Sequence, residues 1–260
     1  MGSQIAAHLA NVGIPSLLLD VVPTTLTPQE QQQGLTLDSP AVRNRLARQG
    51  IQRALQARPA AFYTPQAAEL ITPGNMEDHL PRLAEADWVI EAVTEQLAVK
   101  TQVYQAIAPH LAPTAILSSN TSGLSIAALS AALPADLQRR FLGTHFFNPP
   151  RYIKLLEVIP GPHTEAAVVD FVEAFARRVL GKGVVRAKDT PNFIANRIGI
   201  YALLCAMKVM LDEGYRVGEV DALTGPADWP SGQRHVSHRR LGGARRPAAR
   251  DPEYPPGAAR

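Results

Sequence analysis

The sequence predicts an α/β fold in which a doubly wound, mostly parallel sheet lacks its first strand and is followed by the start of an all-helical domain. Three observations predict this fold. Apolar runs of strand length alternate with amphipathic helical segments, a helix opened by a glycine precedes a strand that ends in an acid, and a long apolar helical segment follows the last strand. The 260 residues, of which 46% are hydrophobic and 19% charged, are enough for one large core or two modest cores.

The chain begins with the back half of a dinucleotide-binding βαβ unit. A helix begins at Gly2, and the apolar run PSLLLD ends at Asp20. The strand and the first two glycines of a G-x-G-x-x-G fingerprint would precede Met1. Gly2 would admit a pyrophosphate at the helix N-terminus, and Asp20 would bind an adenosine ribose, which favours NAD over its 2′-phosphorylated form. The alternative is a helix that simply packs on a strand with an acidic end.

The remaining elements are predicted from periodicity and from Pro and Gly positions. Strands are expected at 86–93, from 114, at 141–147, at 152–159 and over VVRAKD, and helices at 39–57, 95–111, 165–180 and 192–213. The expected domains are 1–188 and 189–227. We predict that 228–260 is a disordered tail, because it is rich in Arg, Pro and Gly and has no period.

Composition excludes several classes of protein. The single cysteine, Cys205, excludes a disulfide scaffold and favours a cytoplasmic location. We expect Cys205 itself to lie in the core, because it is part of an apolar helical segment. No apolar stretch reaches the roughly 18–20 residues that span a bilayer, and no signal segment opens the chain. The net charge of +3 comes from residues 228–260, which contain seven arginines and only three acidic residues. We therefore expect neither nucleic-acid nor membrane binding by the body.

Polar side chains gather where predicted strands end. Asn120 and Ser122 lie in SSNTSG, His145 and Asn148 in THFFNPP, and Glu157 in KLLEVI. His145 and Glu157 lie on two strands joined by a short Pro-Pro turn, so we expect them to meet. A carboxylate that orients an imidazole makes it a better general base. The alternative for His145 is a buried histidine whose hydrogen bonds are satisfied, which we also assign to the other six histidines.

Three motifs in order carry a family resemblance. SSNTSGLSI, FLGTHFFNPPRYIKLLEVIPGPHT and KDTPNFIANRIG resemble the NAD-dependent 3-hydroxyacyl-CoA dehydrogenases. HFFNPPRY and ALQARPAAFYTPQAAELITPGNMED look like the long bacterial members, which continue into further domains. The resemblance covers Met1 to about Ala227. It implies a Rossmann-like NAD-binding domain at 1–188, and at 189–227 the first helices of a domain that builds the substrate cleft and often a homo-oligomer interface.

The resemblance also implies a reaction and its residues. (3S)-3-hydroxyacyl-CoA is oxidised to 3-oxoacyl-CoA with NAD in cytoplasmic fatty-acid β-oxidation. His145 would take the proton of the 3-hydroxyl, and Glu157 would orient His145. The other implied roles are substrate binding by Ser122 and Asn196, and cofactor binding by Gly2, Asp20, Glu95, Lys100, Ser122 and Asn148. No metal is implied.

The chain departs from the family at both ends. Without its first strand the sheet loses buried apolar side chains. The free energy lost with them is comparable with the free energy of unfolding of a whole domain, so we expect poor folding and weak NAD binding. A one-nucleotide shift after Ala227 permits the family's continuation GRPxSATFRTADLVGLD, and we interpret 228–260 as an out-of-frame tail. A real basic tail that binds nucleic acid or membrane is the alternative. For the whole chain, the alternatives are an inactive fragment or pseudogene product, and a dehydrogenase of another hydroxy acid.

Overall fold

The computed structural model describes residues 1–223. The chain divides into two units, with the boundary between Arg197 and Ile198. The second unit is described only as far as residue 223. The predicted tail at 228–260, and the end of the predicted helical segment 189–227, therefore lie outside the described residues. The predicted domain limits stay a prediction.

The described residues form ten α-helices, of which α1 to α8 lie in the first unit. The helices are α1 (Gly2–Ala10), α2 (Pro28–Gln32), α3 (Pro40–Arg43), α4 (Arg45–Leu55), α5 (Leu97–Ile107), α6 (Ile126–Ser130), α7 (Ala135–Gln138), α8 (Ala166–Arg178), α9 (Ala195–Asp212) and α10 (Val217–Leu223). Three short 3-10 helices lie at Pro65–Leu70, Leu80–Glu85 and Ala108–His110. None of the helices in this part of the chain is long and apolar enough to cross a membrane.

Seven strands form two sheets. The strands are β1 (Ser16–Asp20), β2 (Ile71–Asn75), β3 (Trp88–Glu91), β4 (Ile116–Ser119), β5 (Phe141–Phe146), β6 (Leu155–Pro160) and β7 (Gly183–Arg186). β1 pairs with β2 in parallel, and the second sheet has the order β3-β4-β5-β6-β7. All its neighbours are parallel except β5 and β6, which are antiparallel. The predicted α/β fold with a mostly parallel sheet is confirmed.

Helix α1 packs against residues of both sheets. Its Ile5 belongs to a buried cluster with Leu142 of β5 and Leu156 of β6, whereas its Ala6 contributes to a cluster with Ile71 of β2. Among the described residues β1 and β3 are the edges of separate sheets, as expected for a doubly wound sheet interrupted between them. The helix thus supplies apolar contacts to both parts of the interrupted sheet.

The central strands β4 to β6 are buried on both faces. One face packs with α5 and α6, and the other packs with α1 and α8. The first cluster includes Tyr104, Leu117, Ile126, Phe141 and Ile159. Near-continuous burial of this kind is typical of strands covered by helices on both sides. The packing of helices on both faces fixes the positions of the strand ends, where the polar residues lie.

Several expectations were wrong. The predicted helix at 39–57 is two helices, because Asn44 interrupts it and accepts a hydrogen bond from Asn75 at 2.7 Å. Strand β2, with the sequence ITPGN, was not predicted, because Pro and Gly usually interrupt strands. Cys205 is exposed and not in the core. Its apolar neighbours in α9 suggested burial, yet no described residue of α9 is buried.

Candidate active site

The centre of the candidate site is a buried pair formed by His145 and Glu157. The two residues lie directly opposite each other in the antiparallel ladder of β5 and β6, so their side chains share one face of the sheet. His145 Nδ1 and Glu157 Oε2 are 2.8 Å apart. The side chains are 5% and 0% exposed. The two residues therefore meet as the sequence predicts, in a setting almost closed to water.

The second oxygen of Glu157 binds the start of α9. Oε1 accepts hydrogen bonds from the backbone N–H groups of Ile194 at 3.0 Å and Ala195 at 2.8 Å. Burial raises the pKa of Glu157, but the hydrogen bonds from His145, Ala195 and Ile194 outweigh it and leave the pKa below its usual value. Glu157 is therefore a carboxylate at neutral pH, although it is fully buried.

Two aromatic rings lie beside His145, and an amide fixes the residue that follows it. The centroid of its ring lies 4.3 Å from that of Phe147 and 5.8 Å from that of Phe193. The next residue, Phe146, donates its backbone N–H to Asn120 Oδ1 at 2.9 Å. Asn120 thus fixes the end of β4 to the end of β5, which is a structural role for this candidate residue. Together these contacts restrict the imidazole to one orientation.

A second buried cluster lies at the ends of β3 and β4, where Glu91 and Ser119 are partners in the ladder. Glu91 accepts from Lys100 Nζ at 2.7 Å, Tyr104 Oη at 2.9 Å and Ser119 Oγ at 2.7 Å. Burial, and the charge of Glu91, raise the pKa of Tyr104, which keeps its proton for this bond. Glu91 was not among the site residues predicted from the sequence. Its signal is the first glutamate of EAVTEQLAVK, at the end of a predicted strand.

Glu95 joins this cluster to the loop after β4. Its Oε1 accepts from Thr121 Oγ1 at 2.5 Å and from the backbone N–H of Ser122 at 2.8 Å, and its Oε2 is 3.4 Å from Lys100 Nζ. Burial raises the pKa of Glu95, but the bonds from Thr121, Ser122 and Lys100 lower it overall. Asn196 Nδ2 donates to the carbonyl of Ser122 at 3.3 Å. Glu95, Lys100, Ser122 and Asn196 are therefore linked by contacts.

Three predicted residues lie outside this set of contacts. Gly2 begins α1, Asp20 ends β1 and Asn148 follows β5. Asp20 is exposed, and its side-chain Oδ1 accepts the N–H of Val21 at 2.8 Å. Asn148 is also exposed. None of the hydrogen bonds found among residues 1–223 joins them to His145 or to Glu95.

The residues at the start of the chain fit a dinucleotide. Helix α1 begins at Gly2 with no side chain capping its first N–H groups, which suits a pyrophosphate. A carboxylate at the end of β1 suits ribose hydroxyls and repels a 2′-phosphate. The exposed side chain of Asp20 meets that requirement. The donor set therefore fits NAD.

This fold and these residues at the ends of strands define a dinucleotide-binding α/β domain. Residues 1–190 match the family model described as "3-hydroxyacyl-CoA dehydrogenase, NAD binding domain". The chain belongs to the 3-hydroxyacyl-CoA dehydrogenase family. The resemblance seen in the three motifs is confirmed, and so is NAD as the cofactor of the matching domain.

Relatives agree with this assignment. The chain is 54% identical over 226 residues to a "Probable 3-hydroxyacyl-CoA dehydrogenase" of Bacillus subtilis, covering 87% of this chain and 29% of that protein. A protein of the same name from Deinococcus radiodurans is 48% identical over 227 residues, covering 87% and 62%. The structure of (S)-3-hydroxybutyryl-CoA dehydrogenase PaaH1 from Ralstonia eutropha superimposes with a TM-score of 0.64 at 29% identity, covering 89% and 76%. The chain thus spans less than two thirds of either curated relative.

Proposed function

We propose that this chain carries out the NAD-dependent oxidation of (3S)-3-hydroxyacyl-CoA to 3-oxoacyl-CoA, a step of fatty-acid β-oxidation. The observation that carries the proposal is the buried contact of 2.8 Å between His145 and the ionised Glu157. A base for a secondary alcohol must be held in one orientation and kept from bulk water. The pair meets both requirements at the end of a parallel strand, where this fold class binds its ligands.

His145 is the proton acceptor in this proposal. Because Glu157 occupies Nδ1, that nitrogen carries the proton of the neutral imidazole, and Nε2 accepts the proton of the 3-hydroxyl. As this proton moves to Nε2, the C3–H bond breaks and its electron pair leaves as hydride, while the oxygen forms the carbonyl. Bound NAD supplies the acceptor for that hydride. Glu157 stabilises the imidazolium that forms.

Ser122 and Asn196 would orient the substrate. Ser122 is exposed at the loop after β4, and Asn196 reaches its carbonyl from the first turn of α9. A hydroxyl and an amide at this place suit the 3-oxygen and the thioester oxygen of an acyl-CoA. The contact between the two residues would keep both groups on one side of the substrate.

The cofactor would extend across the ends of the strands. We assign Gly2 to the pyrophosphate and Asp20 to the adenosine ribose. On the nicotinamide side, the assigned residues are Glu95, Lys100, Ser122 and Asn148. Lys100 is held between Glu91 and Glu95 at 2.7 and 3.4 Å, so its position is set before any ligand arrives.

The finer assignments rest on the relatives. The Ralstonia eutropha protein is named for an (S)-3-hydroxybutyryl-CoA substrate, which supports the (3S) configuration and an acyl-CoA partner here. A trifunctional fatty acid oxidation enzyme of Rickettsia felis, 37% identical over 203 residues, supports a place in fatty-acid oxidation. We also propose a cytoplasmic location and a homo-oligomer formed through the helical region.

Formation of NADH by the full 260-residue chain tests the proposal, and it also tests the expectation of poor folding and weak NAD binding. With NAD, the (3S) enantiomer of 3-hydroxybutyryl-CoA should react and the (3R) enantiomer should not. His145→Ala should lower kcat by about 10²–10⁴-fold, the range typical of a lost general base. His163→Ala is the matched control, because His163 is exposed and follows β6.

Other outcomes identify the alternatives. A folded chain that binds NAD but acts on a different hydroxy acid would contradict the substrate class. A chain that binds NAD and oxidises none of these substrates would be an inactive fragment. Activity that survives His145→Ala would contradict the assigned base.

A further inference from the structure

Two consecutive residues before α9 have a left-handed backbone. Asn192 has a φ of 62° and Phe193 a φ of 51°. A left-handed conformation is uncommon for residues other than glycine, and for a bulky side chain such as Phe it is an outlier. Residues of this kind persist only where the surrounding structure holds them, and they cluster at functional sites. Asn192 and Phe193 form a left-handed turn between Asp189 and α9.

The turn directs two backbone donors at Glu157. Directly after it, the N–H groups of Ile194 and Ala195 converge on Glu157 Oε1 at 3.0 and 2.8 Å. These donors belong to the start of α9, where backbone N–H groups have no partner within the helix. The turn thus places a pair of unused donors on a buried carboxylate. Its left-handed φ angles set the direction in which the chain enters the helix.

The chain before the turn is fixed by Asp189. Its carboxylate accepts the hydroxyl of Ser125 at 2.9 Å and the N–H groups of Ile126 and Ala127 at 2.9 and 2.8 Å, at the start of α6. The Asn192 side chain lies against Gly123, in the loop after β4. The two are so close that a Cβ atom added to Gly123 would be 3.0 Å from Asn192 Oδ1. The surroundings therefore hold the strained turn on both sides.

The side chain of Phe193 reaches the other member of the pair. Phe193 is 2% exposed, and its ring centroid lies 5.8 Å from that of His145. It also belongs to the buried cluster that contains Leu117 and Ile126. Phe193 is thus connected to Glu157 through the backbone that follows it and to His145 through its ring.

We propose that Phe193, in its left-handed turn with Asn192, is a positioning residue that directs the N–H groups of Ile194 and Ala195 at Glu157 and shields His145 from water. The proposal rests on the proposed function, since it assigns a role within the same site. Among residues 1–223, the hydrogen bonds to Glu157 come from His145, Ile194 and Ala195. No Lys or Arg of these residues forms an ion pair with it. Of the charged residues beside the turn, Lys188 and Arg197 are exposed, and the Asp189 carboxylate is bound at α6.

The direction of the expected change follows from these contacts. If the two N–H groups move away, buried Glu157 becomes a stronger base and holds a proton more tightly. If the ring is lost, water reaches the imidazolium and stabilises it. Both changes favour the protonated form of the pair. The pH at which the pair loses its proton should therefore rise.

Phe193→Ala and Phe193→Leu test the proposal in the full chain. Both should raise the midpoint of the acid limb of kcat/KM by about half a pH unit or more, a change of about threefold in proton affinity. Phe193→Ala should also lower kcat by about tenfold while KM for NAD stays within about twofold. Phe175→Ala is the matched control, because Phe175 packs edge-on against Trp88 at 5.9 Å, on α8. It should leave the midpoint unchanged.

The titration of His145 by NMR, with labelled histidine, separates this proposal from the proposed function. It needs no turnover, so it gives a result even if the wild-type chain oxidises no 3-hydroxyacyl-CoA, which would contradict the proposed function alone. An upward shift of the midpoint in Phe193→Leu but not in Phe175→Ala supports the positioning role. If Phe193→Leu is folded and titrates as the wild type does, the proposal is wrong. Phe193→Leu decides the question if Phe193→Ala does not fold.

Discussion

Glu157 holds His145 with one carboxylate oxygen and the start of α9 with the other. The distances are 2.8 Å to His145 Nδ1 and 3.0 and 2.8 Å to the N–H groups of Ile194 and Ala195. One fully buried side chain therefore joins two strands and a helix. Its loss should therefore affect stability and activity together.

Glu157→Gln should separate the effect of the negative charge of this residue from the effect of its size and shape. The amide keeps the volume but removes the negative charge that stabilises the imidazolium, so kcat should fall by about 10²-fold or more. The free energy of unfolding should fall by about 1–3 kcal/mol, because the donors at the site lose a charged acceptor. Steady-state kinetics and urea unfolding measure the two effects. A variant with normal kcat would show that the pair has no role in proton transfer.

Glu91→Gln should destabilise the chain more than Tyr104→Phe does. Lys100 is 1% exposed and has Glu91 as its buried partner, and removing one member of a buried ion pair costs about 3–5 kcal/mol. Tyr104→Phe removes one hydrogen bond to the carboxylate, at about 1.5–3 kcal/mol. Urea unfolding of both variants checks the order. Equal, small losses would mean that the Glu91 cluster does not stabilise this region.

His8 should make the chain sensitive to acid. Burial, and the charge of Lys182, lower the pKa of His8 to about 4 despite its hydrogen bond to the Leu180 carbonyl at 3.1 Å. The unfolded chain, with a pKa near 6.5, binds the proton first as the pH falls. Stability from this residue is therefore complete above pH 6.5 and is lost as the pH falls toward 4, by about 3 kcal/mol in total.

Urea unfolding at a series of pH values measures the effect of His8. His8→Leu should flatten the slope between pH 6.5 and 4, whereas His163→Leu, at an exposed site, should keep it. An unchanged slope in His8→Leu would contradict the prediction.

Lys182 should produce a second pH dependence in the alkaline range. Its ammonium group is buried and donates to the carbonyls of Pro150 and Ile153, in the segment between β5 and β6. Burial lowers the pKa of Lys182 to about 8 from 10.5. Between these values the unfolded chain binds more protons than the native chain, so the free energy of unfolding should rise from pH 8 to pH 10.5.

Lys182→Met should remove that rise, because it keeps the length of the side chain without the charge. Lys188→Met is the control, since Lys188 is exposed nearby. Lys182→Met should also lower stability at pH 7, as two carbonyls lose their donor. A wild-type chain whose stability stays flat from pH 8 to pH 10.5 would show that Lys182 is not buried as described.

The contact between His145 and Glu157 could be predicted because it depends on local pattern. Two apolar runs of strand length joined by a short Pro-containing segment indicate antiparallel neighbours, and the spacing then places the residues opposite each other. The α/β class follows from the same alternation of strands and helices. These features need no knowledge of distant contacts.

The contacts of Glu157 Oε1 could not be predicted in this way. They depend on left-handed φ angles at Asn192 and Phe193. Asn tolerates this conformation, but a bulky residue such as Phe gives no signal for it. The role of Glu91 depends on the burial of Lys100, which is set by tertiary packing. The break at Asn44 depends on a partner 31 positions away, Asn75.

The most direct test of the account compares NAD binding and turnover in one variant. His145→Gln is measured in the full chain by calorimetry with NAD and by the oxidation of NADH with acetoacetyl-CoA, alongside the wild type. Kd for NAD should stay within about threefold, while the rate should fall by about 10²-fold or more. A variant that keeps the wild-type rate would contradict the assignment of His145 as the group that exchanges the proton with substrate.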